Sequence, residues 1–168
     1  MRLPLWIGLF LLGLAIAQTI YFYPLLPEIV GSHFNAAGKV NGTSPKLTYF
    51  ILYFVTLAIA SFSTFGFPLI VKYLPNSSIN LPHRQYWLSD EHRQETLNFF
   101  KVHFSWFGVA TTALIMAIFH LTFLASLSPN KNLTVAVAPW VLLGTFLLFL
   151  VWWTVVLLIR FRRPAANG

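Results

Sequence analysis

Four long apolar stretches separate the polar positions of this chain. They are Leu3–Phe22, Leu47–Val71, Phe104–Leu127 and Val135–Ile159. Each stretch is continuous, without the apolar and polar alternation of a membrane β-strand, and each has the roughly 20 apolar residues that an α-helix needs to cross about 30 Å of hydrocarbon. The pattern predicts an all-α integral membrane protein with four transmembrane helices.

The residues between the stretches set the expected bounds of a single four-helix membrane domain, 1–163, followed by a short tail, 164–168. The predicted segments are helices at about 3–22, 47–73, 90–127 and 135–160, an extracytoplasmic connector at 24–46 and a cytoplasmic connector at 74–89. Arg2, an apolar core and Ala15-Ile16-Ala17 also imitate a secretory signal peptide. We expect this segment to be retained as the first helix.

The first connector is long enough to have structure of its own. Pro27 and Glu28 suit the first turn of a helix, and apolar residues recur at helical spacing at Leu26, Ile29, Val30 and Phe34. This pattern predicts a short helix along the membrane surface. Turns are predicted after it, at Gly38 and at Asn41-Gly42.

The third helix is predicted to be longer than the membrane is thick. Ser89 or Asp90 is the expected N-cap, and nothing breaks the helix before Pro129. About 38 residues at 1.5 Å each give roughly 57 Å, so the first turns should extend into the cytoplasm as a stalk. This stalk would carry Glu91, His92, Arg93 and Glu95. In the second helix, Pro68 predicts a kink.

Composition and charge refine the topology. The chain is 57% hydrophobic and only 9% charged, with a net charge of +7. Lys and Arg divide eight to three between the two sides of the membrane: Arg2, Lys72, Arg84, Arg93, Lys101, Arg160, Arg162 and Arg163 against Lys39, Lys46 and Lys131. Because basic residues favour the cytoplasmic side, both termini should be cytoplasmic. The positive charge is thus explained by topology and anionic lipid, and no nucleic-acid partner is predicted.

Reactive groups are scarce. The chain has no Cys, and its four acidic residues all lie in connectors or the stalk, whereas proton pumps and ion-coupled transporters usually need such groups at membrane depth. No phosphate-binding loop, zinc helix or nucleophile elbow is present in the sequence. We therefore predict a protein that is not an enzyme. Close helix contacts are expected at small residues: Gly13, Ala17, Ala58, Gly108, Thr112 and Gly144.

Three histidines leave alternatives open. His103 and His120 are roughly 25 Å apart along the third helix, so they cannot share a metal. Each could ligate haem or chlorophyll with partners from another protein, or could simply hydrogen-bond to a neighbouring helix. In the first connector, His33 could bind a ligand, sense acidity or tie the loop. No metal and no resident cofactor is predicted.

One family resemblance involves the first connector. Its motif consists of Tyr23, Pro24, Pro27, His33, Phe34, Asn35, Gly38, Asn41 and Gly42. In order and spacing it resembles the small bacterial domain of unknown function that opens many SdpI-type membrane proteins, the immunity and signalling relatives of the sporulation-delaying toxin system. Pro45, inserted before Lys46, departs from the family pattern. A second motif resembles a connector of longer members: Asn80, Pro82, Arg84, Tyr86 and Trp87.

The resemblance implies a function without catalysis, because family members with a known activity bind a peptide toxin or a membrane-embedded regulator. We therefore expect an accessory subunit, an immunity protein or a sensor in a bacterial inner membrane, with the bilayer and other membrane proteins as partners. Residues 23–46 outside and 74–101 inside are the predicted recognition surfaces. The alternative is a subunit of a respiratory or photosynthetic assembly carrying haem or chlorophyll, and a membrane enzyme or transporter is a third.

Overall fold

The computed structural model of the protein describes residues 2–130, 132–133 and 136–162, so Lys131, Arg163 and the predicted tail lie outside the described residues. Four helices are long and apolar enough to cross a membrane: Arg2–Leu25, Lys46–Tyr73, Arg93–Leu127 and Ala138–Arg160. The prediction of a multi-pass helical membrane protein is confirmed at this level. The helix bounds differ from the predicted ones by a few residues.

The elements follow one another in a simple order. They are α1 (Arg2–Leu25), β1 (Ile29–Phe34), β2 (Val40–Pro45), α2 (Lys46–Phe65), α3 (Phe67–Ile70), α4 (Arg84–Trp87), α5 (Arg93–Leu127) and α6 (Ala138–Arg160), with 3₁₀ turns at Val71–Tyr73 and Asn76–Ser78. The long helix α5 is central, because it packs against α1, α2 and α6. We call the end of the bundle with β1 and β2 the hairpin side, and the other end the cap side.

The second membrane span is interrupted where the sequence predicts a kink. Helix α2 ends at Phe65, and α3 begins at Phe67 with Pro68 in its first turn. Proline has no N–H to continue the helical hydrogen bonding, so an interruption at this point is expected. The span continues through α3 and the first 3₁₀ turn to Tyr73.

Helices α1, α2 and α5 approach one another most closely at Thr64. A Cβ atom added to Gly108 would clash with Thr64 Oγ1 and lie 2.6 Å from the Thr64 backbone nitrogen, and one added to Gly8 would lie 2.9 Å from Thr64 Cγ2. Thr64 and Ser105 also exchange hydroxyl-to-carbonyl hydrogen bonds of 3.3 Å. Small residues thus allow close approach of the backbones, as membrane helices commonly require.

The predicted contact at Gly108 is confirmed, but two other predicted glycines behave differently. Among the described residues, no atom would lie within 4 Å of a Cβ atom added to Gly13 or Gly144, so neither glycine lies at a close helix contact. Sequence reasoning missed Gly8. A glycine pattern alone does not show which helix face meets a neighbour, and Gly8 and Gly13 lie on different faces of α1.

Aromatic residues fill the core on the hairpin side. Tyr53 and Phe123 are fully buried, and their rings contact those of Phe119 and Tyr49. The Tyr49 hydroxyl is satisfied by a hydrogen bond with Thr122 Oγ1. A buried hydroxyl at this depth needs such a partner because the hydrocarbon of the bilayer offers none.

The predicted surface helix in the first connector is wrong, since this segment forms an antiparallel hairpin of β1 and β2. Ile29 pairs with Pro45, and Phe34 pairs with Val40. Gly31 destabilises a helix that would include it, and Val30 is buried at 1% exposure in the strand. The helical spacing of apolar residues in the first strand was misleading. Strand formation depends on pairing with a second segment, and the apolar pattern of one segment does not report that pairing.

The predicted start of the third membrane helix, with Ser89 or Asp90 as its N-cap, is also corrected. Helix α5 begins at Arg93, because Ser89 Oγ donates to Tyr86 O and does not cap the helix. The first turns of α5 are covered by the preceding segment: Arg93 donates to Leu74 O at 2.9 Å, and Thr96 Oγ1 donates to Trp87 O at 2.8 Å. Residues 71–92 therefore wrap the base of α5 as a small cap. Its apolar core consists of Val71, Ile79, Trp87, Leu88, Leu97, Phe100 and Phe161.

Candidate functional site

Six of the nine motif residues of the first connector lie in the hairpin, from His33 to Gly42, and Asn35 builds its turn. The Asn35 side-chain oxygen accepts hydrogen bonds of 3.0 Å from the N–H groups of Ala37 and Lys39. Gly38 donates from its N–H to Asn35 O at 2.9 Å and has a φ of 75°, in the left-handed region that glycine adopts without strain. Asn35 and Gly38 together fix the tip of the hairpin.

His33 and Asn41 tie the two strands together. His33 Nδ1 lies 2.9 Å from Asn41 Oδ1, so the ring donates across the hairpin. A Cβ atom at the neighbouring Gly42 would lie 2.9 Å from His33 Cβ, which explains a glycine there. These contacts favour the loop-tying role of His33, while ligand binding and acid sensing stay untested predictions.

Lys46 anchors the base of the hairpin. Its ammonium lies 2.9 Å from Glu28 Oε1, donates to Leu26 O at 3.2 Å, and sits 4.8 Å from the centre of the Tyr23 ring. Lys46 is only 9% exposed, whereas the Glu28 side chain is 88% exposed. Sequence reasoning missed this role because it counted Lys46 only as a topology charge. Its position at the first residue of α2, after Pro45, gives no local sign of burial.

The remaining motif residues shape the entry and the inner face of the hairpin. Pro24 lies in the last turn of α1, and Pro27 follows the helix end, where a missing N–H prevents continuation. The Phe34 ring covers Gly31, since a Cβ atom there would lie 3.0 Å from Phe34 Cζ. All nine motif residues thus belong to one local structure.

Backbone hydrogen bonds fasten the hairpin to the bundle. Gly31 N–H donates to Ser126 Oγ at 3.1 Å, at the end of α5. In the connector between α5 and α6, Asn132 Oδ1 accepts from Val40 N–H at 3.2 Å, and Leu133 N–H donates to Gly38 O at 2.9 Å. The hairpin therefore has a fixed position over the membrane domain.

A cavity of about 520 Å³ lies beneath the hairpin, between it and α2, α5 and α6. Its lining is mostly apolar, with polar side chains both from the hairpin and from the helices, where they are Tyr49 and Thr122. The lining residues are Ser32, His33, Phe34, Asn35, Ala36, Tyr49, Leu52, Ile118, Phe119, Leu121, Thr122, Leu133, Ala136, Pro139, Trp140 and Leu143. Such a cavity suits an apolar side chain that ends in a hydrogen-bonding group. Within the described ranges, no cluster of three or more His, Cys, Asp or Glu side chains could hold a metal ion.

The second predicted motif lies in the cap, but its members do not share one surface role. Asn80, Pro82, Arg84 and Tyr86 are exposed. Trp87 is buried, packs at 5.5 Å against the Phe161 ring and lies 5.0 Å below the Arg160 guanidinium. The Trp87 ring thus forms part of the cap core, and the recognition or anchoring role of the five motif residues stays an untested prediction.

The two membrane histidines have packing contacts of different kinds. The His103 ring is stacked between Phe99 and Trp153, at centroid distances of 4.8 and 4.3 Å. His120 Nδ1 lies 2.9 Å from Gln18 Nε2. These stacking contacts fix the orientation of the His103 ring, and a metal would bind instead at a ring nitrogen in the plane of the imidazole. Neither set of contacts favours haem or chlorophyll ligation, which stays an untested prediction.

Comparison with known protein families gives a match to part of the chain. The family described as Domain of unknown function (DUF1648) matches residues 9–57, which include most of α1, the hairpin and the first half of α2. The resemblance to a domain of unknown function is confirmed to this extent. No curated protein and no solved structure matches the chain. The matched region includes the hairpin and Lys46 but not the cap.

Proposed function

We propose that this protein acts through contacts with other membrane proteins and catalyses no reaction. The main support for this proposal is the structure of the hairpin. Its shape and its base are fixed by the side chains of Asn35, His33, Asn41 and Lys46. Their polar groups bind to one another and to the backbone, and do not converge on a place for substrate. A fixed polar surface over a membrane domain suits recognition.

The last helix supports the proposal of a membrane partner. No described residue of α6 is buried, and its large side chains Leu148, Val151 and Trp152 are 59–74% exposed. Helix α6 packs mainly on α5. The other faces of α6 are available to lipid or to a helix of an accessory complex.

We further propose that the partner belongs to the class implied by the SdpI-type resemblance, a peptide or a membrane-embedded regulator. The accessory subunit, immunity protein and sensor are three forms of this one role. On the hairpin, Lys39, Asn41 and Thr43 are exposed and available to such a partner. The cavity beneath the hairpin offers a place for one apolar side chain.

For orientation, we propose a bacterial inner membrane with both termini and the cap in the cytoplasm. Support comes from the uneven distribution of Lys and Arg, since the cap side has most of them and the hairpin side has few. In this orientation the hairpin faces outward. The base of α5 then extends into the cytoplasm inside the cap.

Photocrosslinking in native membranes tests the contact role. We expect a photoreactive amino acid at Thr43 on the hairpin, or at Gln85 on the cap, to give adducts with a discrete second protein. The same group at Phe10, which is 69% exposed on α1, serves as a control for contacts with lipid alone. If neither Thr43 nor Gln85 gave protein adducts above those at Phe10, the contact role would be wrong.

A further inference from the structure

A groove of about 880 Å³ opens sideways between α1, α5 and α6. Small side chains, Ala17 on α1 and Ala113 and Ala117 on α5, leave this space unfilled. The walls are otherwise apolar apart from Tyr21, which has a hydroxyl group, and one hydrogen-bonded pair of polar side chains, Gln18 and His120. The groove is separate from the cavity beneath the hairpin, apart from Leu121, which lines both.

The polar pair has a defined direction of hydrogen bonding. The Tyr53 hydroxyl donates to Gln18 Oε1, and the Gln18 amide nitrogen, which can only donate, lies 2.9 Å from His120 Nδ1. His120 Nδ1 is therefore the acceptor, so the hydrogen of a neutral imidazole is on Nε2. In the part of the chain that the structure describes, His120 is exposed and its Nε2 has no hydrogen-bond acceptor.

The depth of this groove in the membrane and its length both correspond to one leaflet of the bilayer. His120 and Gln18 each lie about two turns before the hairpin-side end of their helices, roughly 10 Å along the axis. The groove runs inward from Phe22 to Leu11 on α1, about 16 Å. Half of the hydrocarbon thickness is about 15 Å. The groove thus matches the hairpin-side leaflet, with the N–H donor in its outer part.

We propose that this groove binds the acyl chain of a membrane lipid, whose ester carbonyl accepts a hydrogen bond from His120 Nε2–H. A polar hydrogen in hydrocarbon needs an acceptor, because no water is present there. A lipid brings that acceptor at the top of an apolar chain of leaflet length. The backbone carbonyls of a partner helix are already bonded within the helix, so a helix would need a suitably placed polar side chain. This lipid site is independent of the contact role proposed above.

Chain occupancy is tested with the whole protein in phosphatidylethanolamine vesicles that contain a phosphatidylcholine with a diazirine in one acyl chain. After photolysis, we expect adducts at Leu14 and Met116 in the groove to exceed those at Leu148, which is 74% exposed on α6. Ala117→Phe should fill the groove and lower the groove adducts at least fivefold. Gly144→Phe is the matched control, because the added Cβ has no neighbour within 4 Å among the residues that the structure describes.

The hydrogen bond is tested separately, with vesicles of lipid labelled with ¹³C at the ester carbonyl. We expect a carbonyl band shifted to lower frequency in the infrared spectrum of the wild type. His120→Phe should remove this band and weaken lipid retention about fivefold, as expected for one lost hydrogen bond. Ala117→Phe should also remove the shifted carbonyl band, although His120 is still present. The test therefore does not depend on the correct folding of a single variant.

Three results would overturn the lipid site. Adducts spread evenly over α6 and the groove would show an unselective surface. Groove adducts unchanged by Ala117→Phe would show that the chain does not lie there. A helix of another protein, crosslinked from Met116 in native membranes in place of lipid, would show that the groove is a protein interface.

Discussion

Gly108→Ala is expected to destabilise the membrane domain by about 1–3 kcal/mol, the usual cost of overpacking a well-packed core. The added methyl group would clash with Thr64 Oγ1 and lie 2.6 Å from the Thr64 backbone nitrogen. Side-chain rotation cannot relieve a backbone contact, so α2 and α5 must separate. Denaturation with SDS in mixed micelles, followed by circular dichroism, measures the change in the free energy of unfolding.

The control variants for this prediction should not lower the free energy of unfolding. Gly144→Ala on α6 and Gly13→Ala on α1 add the same methyl group at positions where no other part of the described chain comes within 4 Å of it. Alanine favours a helix over glycine by up to about 1 kcal/mol, so both variants should be neutral or more stable. Equal effects at Gly108 and Gly144 would contradict the close crossing of α2 and α5.

Lys46→Ala is expected to open the hairpin at its base, at a cost of about 1.5–4 kcal/mol. It leaves the buried Leu26 carbonyl oxygen without the ammonium donor, and an unsatisfied buried acceptor costs about 1–3 kcal/mol. It also removes the cation from the Tyr23 ring, a contact of about 0.5–1 kcal/mol. Hydrogen exchange at the amides that join Asn35 to Lys39 and Lys46 to Glu28 measures the local opening.

Two further variants distinguish the ion pair of Lys46 with Glu28 from the other contacts of Lys46. Glu28→Gln should cost less than about 1 kcal/mol, because the Glu28 carboxylate is exposed and its ion pair is weakened by solvent. Lys39→Ala removes an exposed lysine from the same hairpin and should leave the exchange rates unchanged. If Glu28→Gln opened the hairpin as much as Lys46→Ala, the ion pair and not the Leu26 hydrogen bond would be the main anchor.

The four spans were predictable because their signal is local. A helix in lipid satisfies its own backbone, so a long apolar stretch is sufficient to identify it. The interruption of the second span was predictable for the same reason, since Pro68 acts on its own neighbours. For close helix contacts, the prediction was correct at Gly108 and wrong at Gly13 and Gly144. The sequence shows where the small residues are, but it does not show which face of a helix meets another helix.

The features that were missed depend on residues distant in sequence. The hairpin requires pairing of Ile29 with Pro45, and the local helical spacing of its first strand obscured this pairing. The cap depends on the hydrogen bond that Arg93 donates to Leu74 O, through which residues 71–92 cover the base of α5. Lys46 was read as a charge of the membrane surface, whereas its burial depends on Tyr23 and Leu26 from the preceding helix and its exit.

The central claim, four crossings with the hairpin on one side and the cap on the other, can be tested directly because the chain has no native cysteine. Single cysteines are introduced at five exposed positions: Arg2, Thr43, Gln85, Asn130 and Arg162. With a membrane-impermeant maleimide on intact cells, we predict labelling at Thr43 and Asn130 only, and labelling at the other three after lysis. Two neighbouring positions in this series that label on the same side would contradict the account.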